Sequence, residues 1–334
     1  MRDTVLQISD LKTCFDTRDG MVTAVDGVSL SLNRGECLGV VGESGSGKSV
    51  TFASVMGLIK KPGFIANGSI TFEKRELVGL DPTAYRKLRG KEIAMTMQDA
   101  LTALNPAYTV SNQIIEVLLA HDDTLTGSRK AKRKQAREQA LEMLKLVGIP
   151  SPESRFDDYP HQFSGGMRQR VMIAIALACK PRLLIADEPT TALDVTIQAQ
   201  VLELIAGIRE KLGMSVILIT HDLGVVAEYC DNVVVMYAGQ IVERGPTHAV
   251  IANPQHPYTQ GLLNSIPRLS DLARRIEPIK GTVPELVNLP AQCRFMDRCT
   301  RARPACKTHI AMQDCGPERE VRCLFPGTPG GGDV

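Results

Sequence analysis

The feature that most constrains the fold of this chain is a glycine-rich loop between an apolar run and a helix-forming segment. The loop reads Gly42-Glu43-Ser44-Gly45-Ser46-Gly47-Lys48-Ser49 and fits the pattern G-x-x-x-x-G-K-[S/T]. Residues 37–41 before it are typical of a buried strand, and residues 49–59 after it are typical of a helix. These flanks disfavour a glycine-rich turn that matches by chance. We therefore expect an α/β fold that binds nucleotide phosphates at this loop.

Each residue type in this loop has a chemical role in phosphate binding. The glycines let successive backbone N–H groups point at phosphate oxygens, and Lys48 is expected to reach the β- and γ-phosphates. The Ser49 hydroxyl is placed to bind Mg²⁺. Residues 42–49 therefore predict a site for a magnesium nucleotide.

Two further apolar runs end in polar side chains. Residues 183–186 precede Asp187 and Glu188, and residues 215–220 precede His221. Both runs are typical of parallel strands buried on both faces, and ligands of such sheets gather at the carboxyl ends of the strands. We expect Asp187 to hold the magnesium shell, Glu188 to orient or deprotonate the attacking water, and His221 to sense the γ-phosphate. A solvated acidic turn and an ordinary surface histidine are the alternatives.

A third motif, Ser164-Gly165-Gly166, lies between the phosphate loop and the two carboxylates. Ser164 is a preferred N-cap residue, and the two glycines leave backbone N–H groups uncovered at a helix start. This start predicts an anion site that need not serve the same nucleotide as Lys48. Apolar residues follow, so Ser164 is also expected to cap a core helix, and the two interpretations are compatible.

The order of the motifs along the chain narrows the interpretation. They follow one another as phosphate loop, Gln98, Ser164-Gly165-Gly166, Asp187-Glu188, Leu193-Asp194 and His221. This order resembles that of the ATP-binding-cassette ATPases. The resemblance implies a P-loop cassette with a RecA-like core, an antiparallel β subdomain and a helical subdomain at about residues 100–180. It also implies a head-to-tail pair of cassettes, in which ATP lies between the phosphate loop of one and the Ser164 helix of the other.

The resemblance also implies roles for single residues. Gln98 is expected to contact magnesium and the attacking water, and Asp194 to belong to the nucleotide site. Phe15 closes the first apolar segment and is expected to stack on adenine, with a plain core role as the alternative. The chain departs from the family pattern at Ala100, where peptide importers commonly carry proline, and at Met167, where glutamine is commonest.

The composition changes after residue 245, where prolines become frequent. The element His256-Pro257-Tyr258-Thr259 resembles part of the C-terminal extension of the oligopeptide and dipeptide importer ATPases. We therefore divide the chain into a nucleotide-binding domain at residues 1–250 and an extension at residues 251–334. The resemblance implies ATP hydrolysis that drives uptake of di- and oligopeptides. It implies as partners a second related cassette subunit, two membrane permeases and an extracytoplasmic peptide-binding protein.

Length and charge are consistent with this interpretation. The 334 residues suit one large α/β domain plus an appendage. No apolar run approaches a membrane helix and no signal peptide is evident, so we expect a peripheral protein on the cytoplasmic face of the bacterial inner membrane. A net charge of +2 gives no general signal for nucleic acid. The basic run at residues 129–137 could face anionic lipid or nucleic acid, but we expect it to be the solvated start of a helix. A cassette protein acting on ribosomes or DNA, for which this run would be the working surface, is disfavoured by the single phosphate loop.

Five of the nine cysteines lie near the C-terminus, at Cys293, Cys299, Cys306, Cys315 and Cys323. In a reducing compartment such clustering favours metal or iron–sulfur ligation over disulfides. The wide spacings differ from the close pairs of zinc sites and suit a cubane cluster. The family resemblance implies a [4Fe–4S] cluster on Cys293, Cys299, Cys306 and Cys323. The alternatives are Cys315 in place of Cys323, Zn²⁺, or thiols without a ligand. The other cysteines are expected in the core.

Overall fold

The computed structural model describes residues 3–98, 103–190, 193–265 and 279–327. The chain folds into two compact units, one made of residues 1–78 and 218–334 and the other of residues 79–217. The segment after residue 250 therefore belongs to the same unit as the phosphate loop.

The elements alternate between strands and helices along much of the chain. Up to residue 78 they are β1 (Thr4–Thr17), β2 (Gly20–Asn33), β3 (Cys37–Val41), α1 (Lys48–Val55), β4 (Gly63–Phe72) and β5 (Arg75–Glu76). The second unit contains α2 (Pro82–Leu88), β6 (Ile93–Thr96), α3 (Val110–His121), α4 (Arg129–Leu146), α5 (Pro152–Arg155), α6 (Gly165–Leu177), β7 (Leu183–Asp187) and α7 (Val195–Leu212). Strand β8 (Ser215–Thr220) crosses the boundary, and α8 (Leu223–Tyr229), β9 (Asn232–Tyr237), β10 (Gln240–Pro246), α9 (Thr247–Ala252), α10 (Pro257–Asn264), β11 (Gln313–Gly316) and β12 (Arg319–Val321) follow.

The first unit contains two sets of paired strands. An antiparallel sheet has the order β2-β1-β4-β5. Apolar residues of β1 such as Leu6, Ile8 and Leu11 are buried, whereas Ser9 is exposed, as expected for a sheet with one covered face. In the other set β3 pairs in parallel with β9, and β9, β10, β12 and β11 pair successively in antiparallel fashion.

The strand and helix around the phosphate loop agree with the sequence, except that the helix is shorter than predicted. Strand β3 covers the predicted residues and all five are buried, which is typical of a strand covered on both faces. Helix α1 ends at Val55 rather than near residue 59. The cause is Gly57, whose φ of 59° is left-handed. Its N–H donates to Ser54 O, and that of Leu58 donates to Ala53 O, which is a Schellman ending.

The second unit is helical between its two parallel strands. Strands β6 and β7 pair in parallel, and α3, α4, α5 and α6 lie between them in sequence. The basic run at residues 129–137 opens α4, where Ser128 Oγ accepts the N–H of Ala131 at 3.3 Å. The first four residues of α4 are exposed or half-buried, while Ala140 and Leu144 on its apolar face are buried. The run is therefore a solvated helix start.

The C-terminal segment of the first unit is anchored on β10. The Glu243 side chain is fully buried, pairs with Arg319 at 3.1 Å and accepts the backbone N–H groups of Gln255 and His256 at 2.8 and 2.9 Å. These bonds satisfy a carboxylate that would otherwise be costly to bury. They also place α10 where its side chains reach β9.

His256 makes the stability of this segment dependent on pH. Burial lowers the pKa of His256 to about 3 from 6.5, and its Nδ1 accepts the N–H of Tyr258 at 3.0 Å. The folded chain keeps the imidazole neutral, whereas the unfolded chain protonates it below pH 6.5. Above pH 6.5 His256 therefore does not lower the free energy of unfolding. Between pH 6.5 and about 3, proton uptake by the unfolded chain lowers the free energy of unfolding by up to about 1.4 kcal/mol per pH unit.

We expect the His256→Asn variant to lose less stability than the wild type between pH 6.5 and 4.5. Asparagine can still accept the N–H of Tyr258, because it is a good N-cap residue, but it does not titrate. Denaturant unfolding at a series of pH values measures the difference. The exposed His248 on α9 offers a matched control, since His248→Asn should follow the wild type. If the free energy of unfolding changed equally with pH in His256→Asn and in the wild type, this account would be contradicted.

Among the residues that the structure describes, no helix has both the length and the apolar character needed to cross a membrane.

Candidate nucleotide site

The phosphate loop lies between the carboxyl end of β3 and the start of α1. Ser44 and Gly45 are exposed, whereas Gly42, Ser46 and Gly47 are buried. Helix α1 has no side-chain cap on its first N–H groups and no acidic residue in its first turn. A helix start of this kind attracts anions through its uncovered N–H groups and its dipole. The loop is thus suited to phosphate.

Lys48 is held at the loop by oxygen atoms of the loop itself. Its Nζ donates to the carbonyl oxygens of Gly42 and Glu43 at 2.5 and 3.0 Å, and lies 3.4 Å from Ser46 Oγ. The side chain is 6% exposed. These contacts keep a positive charge at the loop, where it attracts phosphate oxygens.

Two glycines of the loop are required by the packing around them. A Cβ on Gly42 would lie 2.2 Å from the carbonyl oxygen of Met236, which is far inside van der Waals contact. Gly47 has a φ of +97°, and a Cβ there would lie 2.6 Å from the carbonyl oxygen of Ala24. Neither position can carry a side chain without a shift of backbone, so the loop shape depends on both glycines.

In the second unit, the structure brings Gln98 and Glu188 together. Gln98 follows β6, Glu188 follows β7, and the parallel register pairs Thr96 with Ala186. Gln98 Nε2 donates to Glu188 Oε2 at 2.8 Å. An amide donor of this kind orients the carboxylate without neutralising it. The pair is the arrangement expected for a base and its positioning partner.

The backbone at Glu188 is in an unusual conformation. Its φ is +44°, in the left-handed region that non-glycine residues rarely occupy. Asp187, the last residue of β7, is 8% exposed, and Glu188 is half-buried. Strained residues of this kind cluster at functional sites, because the surrounding structure must hold them in place. The turn gives the two adjacent carboxylates different degrees of burial.

Ser164 caps helix α6 as predicted. Its Oγ accepts the N–H of Met167 at 3.4 Å, and Ser164 and Gly165 are both exposed. A Cβ on Gly166 would lie 2.7 Å from Cγ2 of Ile197, so the start of α6 packs closely on the start of α7. The exposed serine and glycine leave this helix start open for an anion on the outer surface of the second unit.

The remaining predicted nucleotide residues have plain local roles in the structure. Asp194 caps α7, with its Oδ1 accepting the N–H of Ile197 at 2.9 Å. His221 follows β8 and is exposed. Phe15 is half-buried near the end of β1, and its ring lies over Gly63, where a Cβ would be 2.5 Å from Cε1. Their contacts with a nucleotide stay predictions.

Sequence reasoning missed the residues that hold Glu43 of the phosphate loop. Its carboxylate pairs with Arg298 at 2.6 Å, and its N–H donates to Tyr258 Oη at 2.9 Å. Tyr258 belongs to the His-Pro-Tyr-Thr element, which indicated the C-terminal extension but did not predict a contact with the phosphate loop. Arg298 carried no signal, because its partner lies 255 residues away in the sequence.

The prediction of an iron–sulfur cluster, with zinc as its alternative, is wrong. Within residues 3–98, 103–190, 193–265 and 279–327, no group of three or more His, Cys, Asp or Glu side chains is arranged to hold a metal ion. Four thiols, those of Cys293, Cys299, Cys306 and Cys323, line a cavity of about 20 Å³ together with apolar side chains. Such a cavity has room for about one water molecule and not for a multi-atom cluster.

Burial also disfavours the charged form of these thiols. Burial raises the pKa of Cys293 to about 11 and also raises the pKa values of Cys299 and Cys323. Burial thus favours the protonated thiol over the thiolate, which is the form that binds metals. The described cysteines are free thiols; Cys14, Cys37 and Cys230 are buried in the core as predicted, whereas Cys179 is only half-buried.

Two family models match the chain. The one described as ABC transporter matches residues 25–191, which include the phosphate loop, the Ser164 helix start and Glu188. The one described as oligopeptide/dipeptide transporter, C-terminal region, matches residues 242–306.

Curated relatives match over nearly the whole chain. The dipeptide transport ATP-binding protein DppD of Haemophilus influenzae is 48% identical, and the match covers 96% of each chain. The oligopeptide transport ATP-binding protein AppD of Bacillus subtilis is 49% identical, with 96% of this chain and 97% of that protein covered.

Solved structures match the fold over about three quarters of the chain. A dimeric, post-hydrolysis state of the ATP-binding cassette MJ0796 bound to ADP and Pi has a TM-score of 0.62 and 26% identity, covering 72% of this chain and 98% of that one. The protein cbiO1 of Clostridium perfringens, part of the ABC transporter complex cbiONQ, has a TM-score of 0.63 and 29% identity. The match covers 75% of this chain and 91% of that one.

Proposed function

The chain belongs to the ATP-binding-cassette family of transporter ATPases, and we propose that it is the ATP-hydrolysing subunit of an importer of dipeptides and oligopeptides. One observation supports the substrate class most directly. The chain carries both the cassette and the C-terminal region of oligopeptide and dipeptide transporters, at residues 242–306. Relatives named for dipeptide and oligopeptide transport match through both parts, at 48% and 49% identity.

The residues of the phosphate loop fit a magnesium nucleotide. The uncapped start of α1 and the buried Lys48 would hold the phosphates of ATP, and the exposed Ser49 hydroxyl would bind Mg²⁺. The exposed start of α6 at Ser164 would bind the nucleotide of a second cassette. When bound, ATP supplies the phosphoanhydride bond and Mg²⁺ neutralises phosphate charge.

Glu188 is the residue that we propose acts as general base. Gln98 donates to its carboxylate, which stays half-exposed and able to accept a proton from water. His221 would sense the γ-phosphate, and Asp187 would hold the metal shell. Energy would pass to the transporter as a difference in stability between an ATP-bound closed pair of cassettes and an open pair.

The partners follow from this function. We propose that the chain pairs with a second cassette subunit, since the matched cassette MJ0796 forms a dimer. We propose that the pair works beneath two membrane permeases and an extracytoplasmic peptide-binding protein, on the cytoplasmic face of the membrane. The alternative, a cassette protein acting on ribosomes or DNA, has less support, because the relatives carry transport names and the basic run is a solvated helix start.

Uptake of a radiolabelled dipeptide by the source organism tests the substrate class. Deleting the gene should reduce uptake at least tenfold, and the wild-type gene should restore it. The Glu188→Gln gene should not restore it, although the protein is made. Uptake of a free amino acid serves as the control and should not change. Unchanged peptide uptake in the deletion strain, together with co-purification of the chain with ribosomes, would contradict the proposal in favour of the alternative.

A further inference from the structure

Two residues of the C-terminal segment (residues 251–327), Tyr258 and Arg298, form hydrogen bonds with the phosphate loop. Glu43 is the second residue of the loop, and its carboxylate receives two hydrogen bonds from Arg298. Nη1 lies 2.6 Å from Oε2, and Nη2 lies 3.0 Å from Oε1. The paired geometry gives a bidentate, charge-assisted contact, which is both strong and specific in direction.

Arg298 is built into its surroundings to make this contact. Beyond Glu43, its guanidinium donates to Tyr237 Oη at 3.3 Å and to the carbonyl oxygens of Lys280 and Ile279 at 3.0 and 3.4 Å. All five N–H donors of the guanidinium therefore have acceptors. The side chain is 6% exposed, whereas that of Glu43 is 29% exposed. The hydrogen bonds to Glu43 raise the pKa of Arg298, so its charge is permanent.

A tyrosine holds the backbone of the same loop residue. Tyr258, at the start of α10, is fully buried and its Oη accepts the N–H of Glu43 at 2.9 Å. Its ring packs against Tyr237 and Phe295, with ring centroids 4.7 and 5.4 Å apart. This aromatic cluster connects the two anchors of Glu43, because Tyr237 packs against Tyr258 and its Oη also accepts a hydrogen bond from Arg298.

Glu43 connects these anchors to the phosphate-binding lysine. While its side chain and N–H are held by Arg298 and Tyr258, its carbonyl oxygen accepts a hydrogen bond from Lys48 Nζ at 3.0 Å. A single residue, Glu43, thus links the C-terminal segment to the Lys48 ammonium group at the phosphate loop. The pairing also neutralises a carboxylate that would otherwise repel phosphate from the loop.

We infer that Arg298 and Tyr258 are positioning residues of the nucleotide site, and that the C-terminal segment sets the affinity of the phosphate loop for ATP by neutralising and orienting Glu43. The inference rests on the proposed ATPase function. It gives the segment that is shared with peptide-transporter relatives a direct role in the ATP cycle.

Titration of the purified full-length chain with a fluorescent ATP analogue and Mg²⁺ tests the inference. The Arg298→Gln variant should bind the analogue about tenfold more weakly, because it leaves a carboxylate unpaired beside the phosphates. Removing that charge as well, in Glu43→Gln with Arg298→Gln, should restore affinity to within about threefold. Arg303→Gln is the matched control, since Arg303 is exposed in the same segment and stacks on Phe325.

A milder variant covers the case in which Arg298→Gln does not fold. Tyr258→Phe keeps the buried ring and removes only the acceptor for the Glu43 N–H, so affinity should fall about two- to tenfold with thermal unfolding little changed. In ATPase assays of the assembled transporter, both variants should raise the KM for ATP and leave kcat nearly unchanged.

The outcomes distinguish a failure of the proposed ATPase function from a failure of the positioning role. If the wild-type chain fails to bind the analogue, the proposed ATPase function itself is contradicted. If the wild type binds while folded Arg298→Gln and Tyr258→Phe bind equally well, the positioning role is overturned. A double variant that binds no better than Arg298→Gln would also overturn it, because the effect would then not pass through the charge of Glu43.

Discussion

Replacing Glu188 by glutamine is expected to slow ATP hydrolysis by roughly 10²- to 10⁴-fold while ATP binding is retained. The glutamine side chain is nearly the same shape, but its amide cannot take a proton from the attacking water. The carboxylate that is lost is oriented by Gln98 at 2.8 Å, and its backbone already adopts a φ of +44°. The surrounding turn should therefore hold the new side chain in the same place.

A second expected result is that the Glu188→Gln variant accumulates in the ATP-bound, closed cassette pair. In the proposed cycle hydrolysis reopens the pair, so blocking hydrolysis should trap the state that ATP favours. Size-exclusion chromatography with ATP, run beside a phosphate-release assay, measures both effects. Glu203→Gln is a suitable control, because Glu203 is an exposed residue of α7. Turnover at the wild-type rate in Glu188→Gln would remove Glu188 from the mechanism.

Replacing Lys48 by alanine is expected to weaken ATP binding between about tenfold and a hundredfold. Hydrogen bonds to a charged group are worth roughly 1.5–3 kcal/mol, and each 1.4 kcal/mol changes an affinity tenfold. The lysine ammonium is buried at the loop and held there by the carbonyl oxygens of Gly42 and Glu43. Hydrolysis should fall with binding.

The Lys48 result needs a control for folding, because the lysine also bonds the loop. Thermal unfolding of Lys48→Ala followed by circular dichroism should remain a single transition close to that of the wild type. The exposed Lys60 carries the same charge shortly after α1, and Lys60→Ala should bind ATP normally. ATP affinity in Lys48→Ala within twofold of the wild type would contradict the role given to this lysine.

Local sequence patterns predicted much of this site for a physical reason. A run of five apolar residues followed by glycines and a helix former has few ways to fold, and β3, the loop and the start of α1 lie where expected. The contact between Gln98 and Glu188 was not predicted: the resemblance implied a role for Gln98, and the structure shows that the parallel strands β6 and β7 deliver both residues to one edge. The length of α1 was overestimated, because the left-handed conformation of Gly57 overrode the pattern.

The cysteines show where spacing along a chain stops being informative. Cys293, Cys299, Cys306 and Cys323 do line one cavity, so their clustering in the sequence corresponds to a real neighbourhood. Whether thiols in a neighbourhood bind a metal depends on the space between them and on their burial. Those quantities are set by side chains such as Phe295, Ile310 and Phe325, which the spacing does not encode.

The sequence by itself determined the chemistry of the phosphate loop, the capping of α6 by Ser164 and the carboxylates that follow β7, because each depends on residues within one turn or one strand. Only the tertiary structure decided how Glu43 is neutralised and which groups hold its backbone. Its partners Tyr258 and Arg298 lie 215 and 255 residues away. Contacts over such separations form only when the packing of the whole chain brings the hydrogen-bonding groups together. No local sequence pattern specifies which residues will be neighbours.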